Sequence, residues 1–167
     1  MVSHWLVKQE PSSYSWKDLE RDRETEWDGV HNALALRHLR SMVVGDLGLF
    51  YHSGGERACF GILKVVRGPR PDPSDERGSW TVRVRAVRRL ARPVSLAEIR
   101  LDRAFGDFDL LRNSRLSVMP VTPDRWARLL ALESAAPRTS GPVRAGRTGR
   151  ATANASQPRA RAAGRTR

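Results

Sequence analysis

The stretch LGLFYHSGGERACFGILKVVR, residues 47–67, decides the fold. Its two halves, 47–53 and 58–67, are rich in aliphatic, aromatic and β-branched residues, and Gly54-Gly55 separates them. Two such runs around a glycine pair are typical of a β-hairpin. We therefore predict two antiparallel strands joined by a tight turn. Cys59 lies in the second apolar run, so we expect a buried strand residue rather than a nucleophile.

Apolar and alternating runs on either side of this hairpin predict further strands. HWLVK at 4–8 is short and apolar, and WTVRVRAVRRL at 80–90 alternates apolar residues with arginine. Such alternation places every second side chain on the buried face of a sheet. A third run, RLSVMPV at 115–121, contains Pro120, which lacks an N–H donor and therefore favours an edge strand. The proline- and glycine-rich segment 68–78 is expected to form a loop.

Capping signals predict helices between these strands. SWKD at 15–18 and SLAE at 95–98 both have the spacing of a capping box. Leucines with helical spacing across 34–42 predict another helix, and Thr122-Pro123 predicts the start of the last one. Short strands interspersed with helices favour a small curved sheet or barrel of mixed α and β structure over a parallel doubly wound fold.

The charge of the chain is strongly positive and unevenly placed. Its 167 residues include 30 Lys+Arg and 18 Asp+Glu, which gives a net charge of +12. The stretch 134–167 holds eight of the arginines, no acidic residue and little that can be buried. We predict one folded domain at 1–133 and a disordered basic tail at 134–167. The charge favours a polyanionic partner, and the tail is either a phosphate-binding arm or a solubilising extension.

Motifs for catalysis and metal binding are absent from the sequence. It contains no HExxH zinc motif, no P-loop and no GxSxG nucleophile elbow. The four histidines are scattered, and a single cysteine excludes a disulfide framework. No signal peptide or membrane-length apolar window is visible. We therefore expect a non-catalytic monomer, cytoplasmic or associated with the nucleoid, with no cofactor, no metal ion and no membrane contact.

Trp27 differs from the other tryptophans in its surroundings. It lies in TEWDGVHN, residues 25–32, where polar and turn-forming residues predict a loop. An indole in such a loop either fills a gap in the core or forms a wall on which a flat ring stacks. Stacking of a nucleobase on an aromatic ring contributes roughly 1–3 kcal/mol. Asp28 and Asn32 are close enough in sequence to contact the edge of such a base.

Several segments together resemble the EVE domain family. They are WLVKQEPSSYSWKDL, EWDGVHN, MVVGDLGLFYHS, FGILKVVR, WTVRVRAV and RLSVMPVTPDRWARLL, in the order and spacing of that family. The resemblance runs from about Trp5 to Leu132, which is essentially all of the foldable chain. It implies an α+β, PUA-like twisted β-barrel with surrounding helices, related to the YTH and ASCH domains. It also implies recognition of a modified base, either a modified cytosine in DNA or a modified base in RNA.

The resemblance further implies where the base is held. Lys8 and Glu10 are placed at the rim and floor of an aromatic pocket, of which Trp27 forms one wall. Trp16 and Tyr51 are the candidates for a second wall. The implied ligand-binding residues are Lys8, Glu10, Trp16, Trp27, Asp28, Gly29, Val30, Asn32, Tyr51, His52, Ser53, Arg115 and Ser117, with Arg115 near a phosphate or the pocket mouth.

Four positions depart from the family's pattern. The family has serine at the position of Gln9, arginine at that of His31, and tyrosine-glutamine at that of Ala33-Leu34. Histidine replaces a permanent cation with a side chain that is only partly charged near neutral pH. We therefore expect that the affinity or the preferred base differs from the family's.

Arginines on the predicted strand 80–90 add a possible contact to the nucleic-acid backbone. Arg83, Arg85, Arg88 and Arg89 are expected either to bind phosphates or to form an ordinary solvated face. Two other functions stay open: a scaffold for protein interactions, and an accessory to RNA modification or processing. A titration with modified and unmodified DNA and RNA separates these functions.

Overall fold

A computed structural model describes residues 1–138 of the chain. The predicted basic tail at 134–167 overlaps the described residues only at 134–138, where Ser134 still belongs to the last helix, and its remainder, from residue 139 onward, lies outside them. In chain order the elements are β1 His4–Gln9, α1 Trp16–Asp22, β2 Glu24–Trp27, α2 Ala33–Ser41, β3 Leu47–His52, β4 Ala58–Pro71, β5 Trp80–Ser95, α3 Leu96–Leu101, a 3-10 turn Arg103–Phe105, α4 Asp109–Arg112, β6 Val118–Val121 and α5 Pro123–Ser134.

Six strands form one mixed sheet in the order β2-β5-β4-β3-β1-β6. β1 and β3 run parallel, and all other neighbours are antiparallel. Within residues 1–138 no ladder joins the edge strands β2 and β6. The α+β class is therefore confirmed, but the predicted barrel is wrong, because the sheet is open. Both edge strands are only four residues long, and Pro120 in β6 lacks the N–H that a further ladder needs.

The hairpin predicted at 47–67 is confirmed. β3 and β4 pair antiparallel, from Leu47 opposite Lys64 to His52 opposite Ala58. Nearly all of the β3 side chains are buried, so the apolar run forms the centre of the core. Cys59 is also buried, as predicted, and burial raises the pKa of its thiol to about 12.

Gly61 of β4 allows α1 to approach the sheet closely. The indole of Trp16, the first residue of α1, lies directly over Gly61, where a Cβ atom would overlap the ring. The same indole packs edge-on against Phe50, with ring centroids 5.7 Å apart. A glycine within a strand commonly marks such a close approach. This contact positions α1 on the sheet.

β4 is longer than the sequence predicts. The prediction of a loop over 68–78 is wrong for its first part, because β4 continues to Pro71, which lies opposite Trp80 of β5. Pairing with the long strand β5 outweighs the local preference of proline and glycine for turns. The connection between β4 and β5 therefore begins at Asp72.

The first part of the loop predicted at 25–32 is also a strand, β2, which ends at Trp27, whereas residues 28–32 form a loop as predicted. Glu24 lies opposite Arg85, and Glu26 lies opposite Arg83. Both pairs form ion pairs, at 2.5 and 3.0 Å. Opposite charges across neighbouring strands stabilise a strand that has no apolar alternation. The hydrophobic pattern alone therefore misses β2.

The predicted helix starts are confirmed. Ser15 and Ser95 form complete capping boxes, and Thr122 caps α5 with a proline in its first turn. α2 begins after Asn32, whose side-chain oxygen accepts hydrogen bonds from two backbone N–H groups of the first turn. None of the helices within residues 1–138 is long and apolar enough to cross a membrane.

Candidate functional site

Trp27 ends β2 and belongs to the hydrophobic core. It lies opposite Val82 of β5, and its ring packs edge-on against Phe50, with centroids 5.3 Å apart and planes at 86°. Only 6% of the residue is exposed. The indole therefore stabilises the domain by burying a large apolar surface.

A cavity of about 300 Å³ lies beside this indole. We call it the Trp27 cavity, and its lining residues are Gln9, Ser13, Tyr14, Thr25, Glu26, Trp27 and Asp28. They come from β1, from the turn before α1, and from β2 with the residue that follows it. The indole thus fills a gap in the core and borders a ligand-sized space at the same time.

Hydrogen bonds already engage part of this polar lining. The Tyr14 hydroxyl donates to Oδ2 of Asp22 at 3.0 Å. Glu26 accepts hydrogen bonds from Arg67 at 2.5 Å and from the Thr81 hydroxyl at 3.1 Å. Arg67 and Thr81 therefore compensate the charge of Glu26 from strands β4 and β5. The carboxylate of Asp28, in contrast, lines the cavity and is available to a ligand.

Asp28 has an unusual electrostatic environment. Partial burial raises the pKa of its carboxyl, and the carboxylates of Asp72, Glu26 and Asp75 raise it further. Several carboxylates close together disfavour the ionised form of each carboxyl group. They also attract ligand groups that donate hydrogen bonds. An amino group is stabilised there, whereas a carbonyl oxygen is repelled. The site therefore favours a ligand edge that carries N–H groups.

The tight turn that follows β2 positions the side chain of Asp28 at the Trp27 cavity. Gly29 has a φ of +69°, a conformation that glycine adopts without strain. Val30 is buried, and its carbonyl accepts a 2.7 Å hydrogen bond from Oγ of Ser79. Asn32 caps α2. In the structure these three predicted ligand residues shape the turn and do not line the Trp27 cavity.

Trp16 and His52 contact each other in the core. Trp16 is 1% exposed, and its backbone N–H donates a 2.9 Å hydrogen bond to Nε2 of His52. That bond requires an unprotonated Nε2, so Nδ1–H of His52 donates to Glu56 at 2.7 Å. The two residues hold α1 against β3. Neither lines the Trp27 cavity, although both are among the residues predicted to bind the ligand.

A second cavity, of about 310 Å³, collects three of the predicted residues. Lys8, Tyr51 and Ser53 line it, and we call it the Lys8 cavity. Glu10 lies next to it, where its carboxylate accepts a 3.1 Å hydrogen bond from Oγ of Ser53. The remaining lining residues are Gly54, Arg57, Leu96, Arg100, Leu110, Leu111 and Ser114. Trp16, Arg85 and Arg88 line a third cavity, of about 670 Å³. The structure thus distributes the predicted site over three cavities.

Arg115 and Ser117 lie in the segment that leads into β6. The carbonyl of Ser117 accepts a 2.8 Å hydrogen bond from the backbone N–H of Lys8, and Arg115 is exposed. Nζ of Lys8 donates to the carbonyl of the neighbouring Ser114 at 3.1 Å. This segment therefore lies beside the Lys8 cavity.

Carboxylates pair with all four strand arginines that were predicted to bind phosphate. The pairs are Arg83–Glu26 at 3.0 Å, Arg85–Glu24 at 2.5 Å, Arg88–Glu133 at 2.5 Å and Arg89–Glu20. These contacts connect β5 to β2, α1 and α5. A phosphate has to compete with a carboxylate at each of these guanidinium groups, so their role in binding stays a prediction.

Two departures from the family's pattern lie at or near the Trp27 cavity. Gln9 lines the cavity directly. Nδ1 of His31 lies 3.4 Å from Oδ2 of Asp75, and the guanidinium of Arg77 contacts the other ring nitrogen of His31. Arg77 therefore brings a cation to the place where the family has arginine. Within residues 1–138 no group of three or more His, Cys, Asp or Glu side chains is arranged to hold a metal ion.

Sequence reasoning did not single out four residues of the Trp27 cavity. They are Ser13, Tyr14, Thr25 and Glu26. Thr25 lies two residues before Trp27, so a strand at this position places both side chains on one face. Because β2 was not predicted, Thr25 was not recognised as a residue of the Trp27 cavity. The turn residues come to the cavity only through the packing of α1, which has no local sequence signal.

The sequence profile of the EVE domain matches residues 3–132. The chain belongs to the EVE domain family. Thymocyte nuclear protein 1 of Homo sapiens is 32% identical to this EVE domain protein over 172 aligned positions, which cover 82% of this chain and 76% of the human protein. The predicted family is therefore confirmed.

Solved structures agree with this assignment. The Rhodopseudomonas palustris protein Rpa0253 is 35% identical with a TM-score of 0.75, covering 80% of this chain and 94% of its own. The human THYN1 protein, in complex with 5-methylcytosine containing DNA, is 31% identical with a TM-score of 0.72, covering 81% and 99%. The ASCH protein of Zymomonas mobilis is 9% identical with a TM-score of 0.51, covering 77% and 94%, which shows a shared fold alone.

Proposed function

We propose that this EVE domain binds DNA and holds one cytosine, methylated at carbon 5, in the Trp27 cavity. The observation that carries the proposal is an aromatic ring and a carboxylate beside a space of about 300 Å³. Small-molecule sites have volumes on the order of 300–1,000 Å³, so this space suits a ligand as small as one base. The human relative in complex with 5-methylcytosine containing DNA supports the choice of partner.

The polar lining favours cytosine over thymine. Cytosine presents an amino group at carbon 4, and aspartate accepts hydrogen bonds from that group. Thymine carries the same methyl group as 5-methylcytosine but presents an oxygen instead of the amine. That oxygen would face Asp28, whose neighbours are also carboxylates. The hydroxyls of Ser13 and Thr25 and the amide of Gln9 supply donors for the remaining acceptors of the base.

The apolar part of the cavity supplies the rest of the binding energy. Extruding a base from a duplex costs a few kcal/mol, and less from a single strand. Stacking on Trp27 would offset this cost by roughly 1–3 kcal/mol, provided that its ring, in a residue that is 6% exposed, opens toward the cavity when the base enters. Burying the methyl group adds about 0.8 kcal/mol, equivalent to about fourfold in affinity. We therefore expect a modest preference for methylated over unmodified cytosine, and a larger preference for either over thymine.

Fluorescence anisotropy with single-stranded oligonucleotides tests this proposal. The strands differ at one central position, which is 5-methylcytosine, cytosine or thymine, and a matched RNA strand forms a fourth arm. Wild-type protein should bind them in the order 5-methylcytosine, cytosine, thymine. Asp28→Asn should reduce the discrimination between 5-methylcytosine and thymine about tenfold, because a hydrogen bond to a charged group is lost.

Asp124→Asn is the matched control, because it makes the same change of charge at an exposed position in the first turn of α5. It should leave the order and the discrimination unchanged. Equal affinity for all DNA strands would contradict base reading in this cavity. Tighter binding to the RNA strand would contradict DNA as the partner. Absence of binding to every strand would favour the scaffold function.

A further inference from the structure

We propose that the Lys8 cavity is a binding site for a phosphate group, separate from the base-binding Trp27 cavity. Lys8, Arg57 and Arg100 line this space of about 310 Å³, and its lining includes no carboxylate. Three cations around one concave space attract a multiply charged anion. Phosphate matches this arrangement, because guanidinium groups bind its oxygen atoms in a bidentate geometry.

The three cations keep most of their hydrogen-bonding capacity for a ligand. Nζ of Lys8 donates to the carbonyl of Ser114 at 3.1 Å, and Nε of Arg57 donates to the carbonyl of Gly54 at 3.1 Å. Both acceptors are neutral. Within residues 1–138, none of these cations forms an ion pair, whereas the arginines of β5 at 83, 85, 88 and 89 are all paired. The Lys8 cavity is therefore a place of uncompensated positive charge.

Tyr51 adds a hydroxyl donor to the lining of the Lys8 cavity. It is 3% exposed, and its hydroxyl has no hydrogen-bond partner in the part of the chain that the structure describes. Burial raises the pKa of Tyr51 to about 12, against the opposite effect of Arg57 and Arg100, so the group stays a protonated O–H donor at neutral pH. The hydroxyl is therefore free to donate to a ligand in the Lys8 cavity. An anion in the cavity would satisfy it.

The backbone at Arg57 is held in an uncommon conformation. Its φ is +42°, in the left-handed region that residues other than glycine rarely adopt. Its carbonyl accepts a 2.8 Å hydrogen bond from the N–H of Leu96, which fixes this turn to the start of α3. Arg100 lies in the same helix. The hairpin end and α3 therefore bring the two guanidinium groups to one cavity.

One acidic group opposes the cations. Glu10 lies next to the Lys8 cavity and accepts a hydrogen bond from Ser53 at 3.1 Å. Three cations against this single carboxylate leave a net positive charge. The phosphate has two chemical sources: the backbone of a bound nucleic-acid strand, and a free phosphate compound. The proposal concerns the group that both share, and the experiment distinguishes them.

NMR titration of the full, ¹⁵N-labelled chain with inorganic phosphate, against chloride at constant ionic strength, tests this site. The backbone signals of Lys8, Tyr51 and Arg100 should shift together and saturate. Arg100→Gln should weaken phosphate binding about tenfold, and Tyr51→Phe about threefold. Arg37→Gln is the matched control, because it removes an exposed positive charge from α2, and it should change the affinity less than twofold.

A second arm identifies the source of the phosphate. If it is the nucleic-acid backbone, inorganic phosphate should displace an all-thymine strand, and Arg100→Gln should weaken binding of that strand. Phosphate binding without displacement supports a free phosphate compound. Absence of saturable shifts, or equal effects of Arg100→Gln and Arg37→Gln, would overturn the proposal. The thymine strand makes this outcome independent of the Trp27 cavity, so the two proposals fail separately.

Discussion

Lys8 and Gln9 are consecutive residues of β1, yet they line different cavities. Successive side chains of a strand point to opposite faces, so β1 separates a cationic space from one that contains carboxylates. In nucleic-acid binding, phosphate contacts position the ligand and determine the salt dependence, whereas base contacts determine specificity. These two neighbours therefore allow the two contributions to be measured independently.

We predict opposite effects of substituting these two residues. Lys8→Gln should reduce the slope of log affinity against log salt by about 0.7 for single-stranded DNA, and should leave the preference for 5-methylcytosine over thymine unchanged. Gln9→Ser, which introduces the family's residue, should change that preference and keep the slope. Anisotropy titrations at several salt concentrations measure both quantities. Lys17→Gln, at an exposed position of α1, is the control for lost charge. Parallel changes in both variants would show that the two cavities do not act separately.

The contact between Gly61 and Trp16 leads to a prediction for stability. Gly61→Ala should lower the free energy of unfolding by roughly 1–3 kcal/mol, because the new Cβ atom would overlap a rigid, buried ring. Gly68→Ala, in the same strand with open space around the added atom, should be close to neutral. Urea denaturation of both variants makes the comparison. Equal stabilities would mean that α1 moves freely away from the sheet.

Glu98 should make the domain sensitive to acid. Burial opposes its ionisation, but hydrogen bonds from Arg92 at 2.7 Å and from the Ser95 backbone at 3.0 Å lower the pKa of Glu98 from 4.5 to about 2. The ionised Glu98 carboxylate therefore contributes its full stabilisation of the fold above pH 4.5. This contribution is lost as the pH falls toward 2, since protonation of Glu98 then removes the charge.

Glu98→Gln should therefore destabilise the domain at neutral pH by on the order of 3 kcal/mol. The difference between wild type and variant should shrink across the same acidic range. Thermal unfolding from pH 7 to pH 2.5 follows this difference. A constant difference at all pH values would assign the effect of the substitution to packing alone.

The fold could be predicted wherever local signals agree with the tertiary structure. The Gly54-Gly55 turn, the capping boxes at Ser15 and Ser95, and the edge position of Pro120 all follow from short-range chemistry. β2 could not be predicted, because cross-strand ion pairs rather than an apolar pattern stabilise it. The closure of the sheet depends on the relation between two distant edge strands, for which the sequence has no local signal.

The site could be predicted only in outline. Trp27 and Asp28 lie beside one cavity, but Lys8 and Tyr51 lie beside another, and their roles in binding stay predictions. Alternation along β1 shows that Lys8 and its neighbours face different sides, but it does not show which elements cover each side. The packing of α1 and α3 determines which elements cover each side of β1.

The electrostatics of Asp28 lead to a pH dependence of base discrimination. Because partial burial and the neighbouring carboxylates raise its pKa above 3.8, Asp28 loses its charge at a higher pH than an ordinary aspartate. The ionised form accepts hydrogen bonds from the cytosine amine. The preference for 5-methylcytosine over thymine should therefore be full at neutral pH and fall as the pH is lowered through that pKa. Asp28→Asn should show no such dependence. A preference that rises with acidification would show that the protonated carboxyl binds the base.

The most direct test of base reading is the ¹⁹F NMR signal of Trp27 in protein labelled with 5-fluorotryptophan. The chain has five tryptophans, and Trp27→Phe identifies the signal of interest. A strand with one central 5-methylcytosine should shift this signal while that of Trp126, buried in α5, stays in place. The same strand with an abasic central position should leave the Trp27 signal unshifted. A Trp27 signal that does not move when the methylated strand saturates the protein would contradict the account.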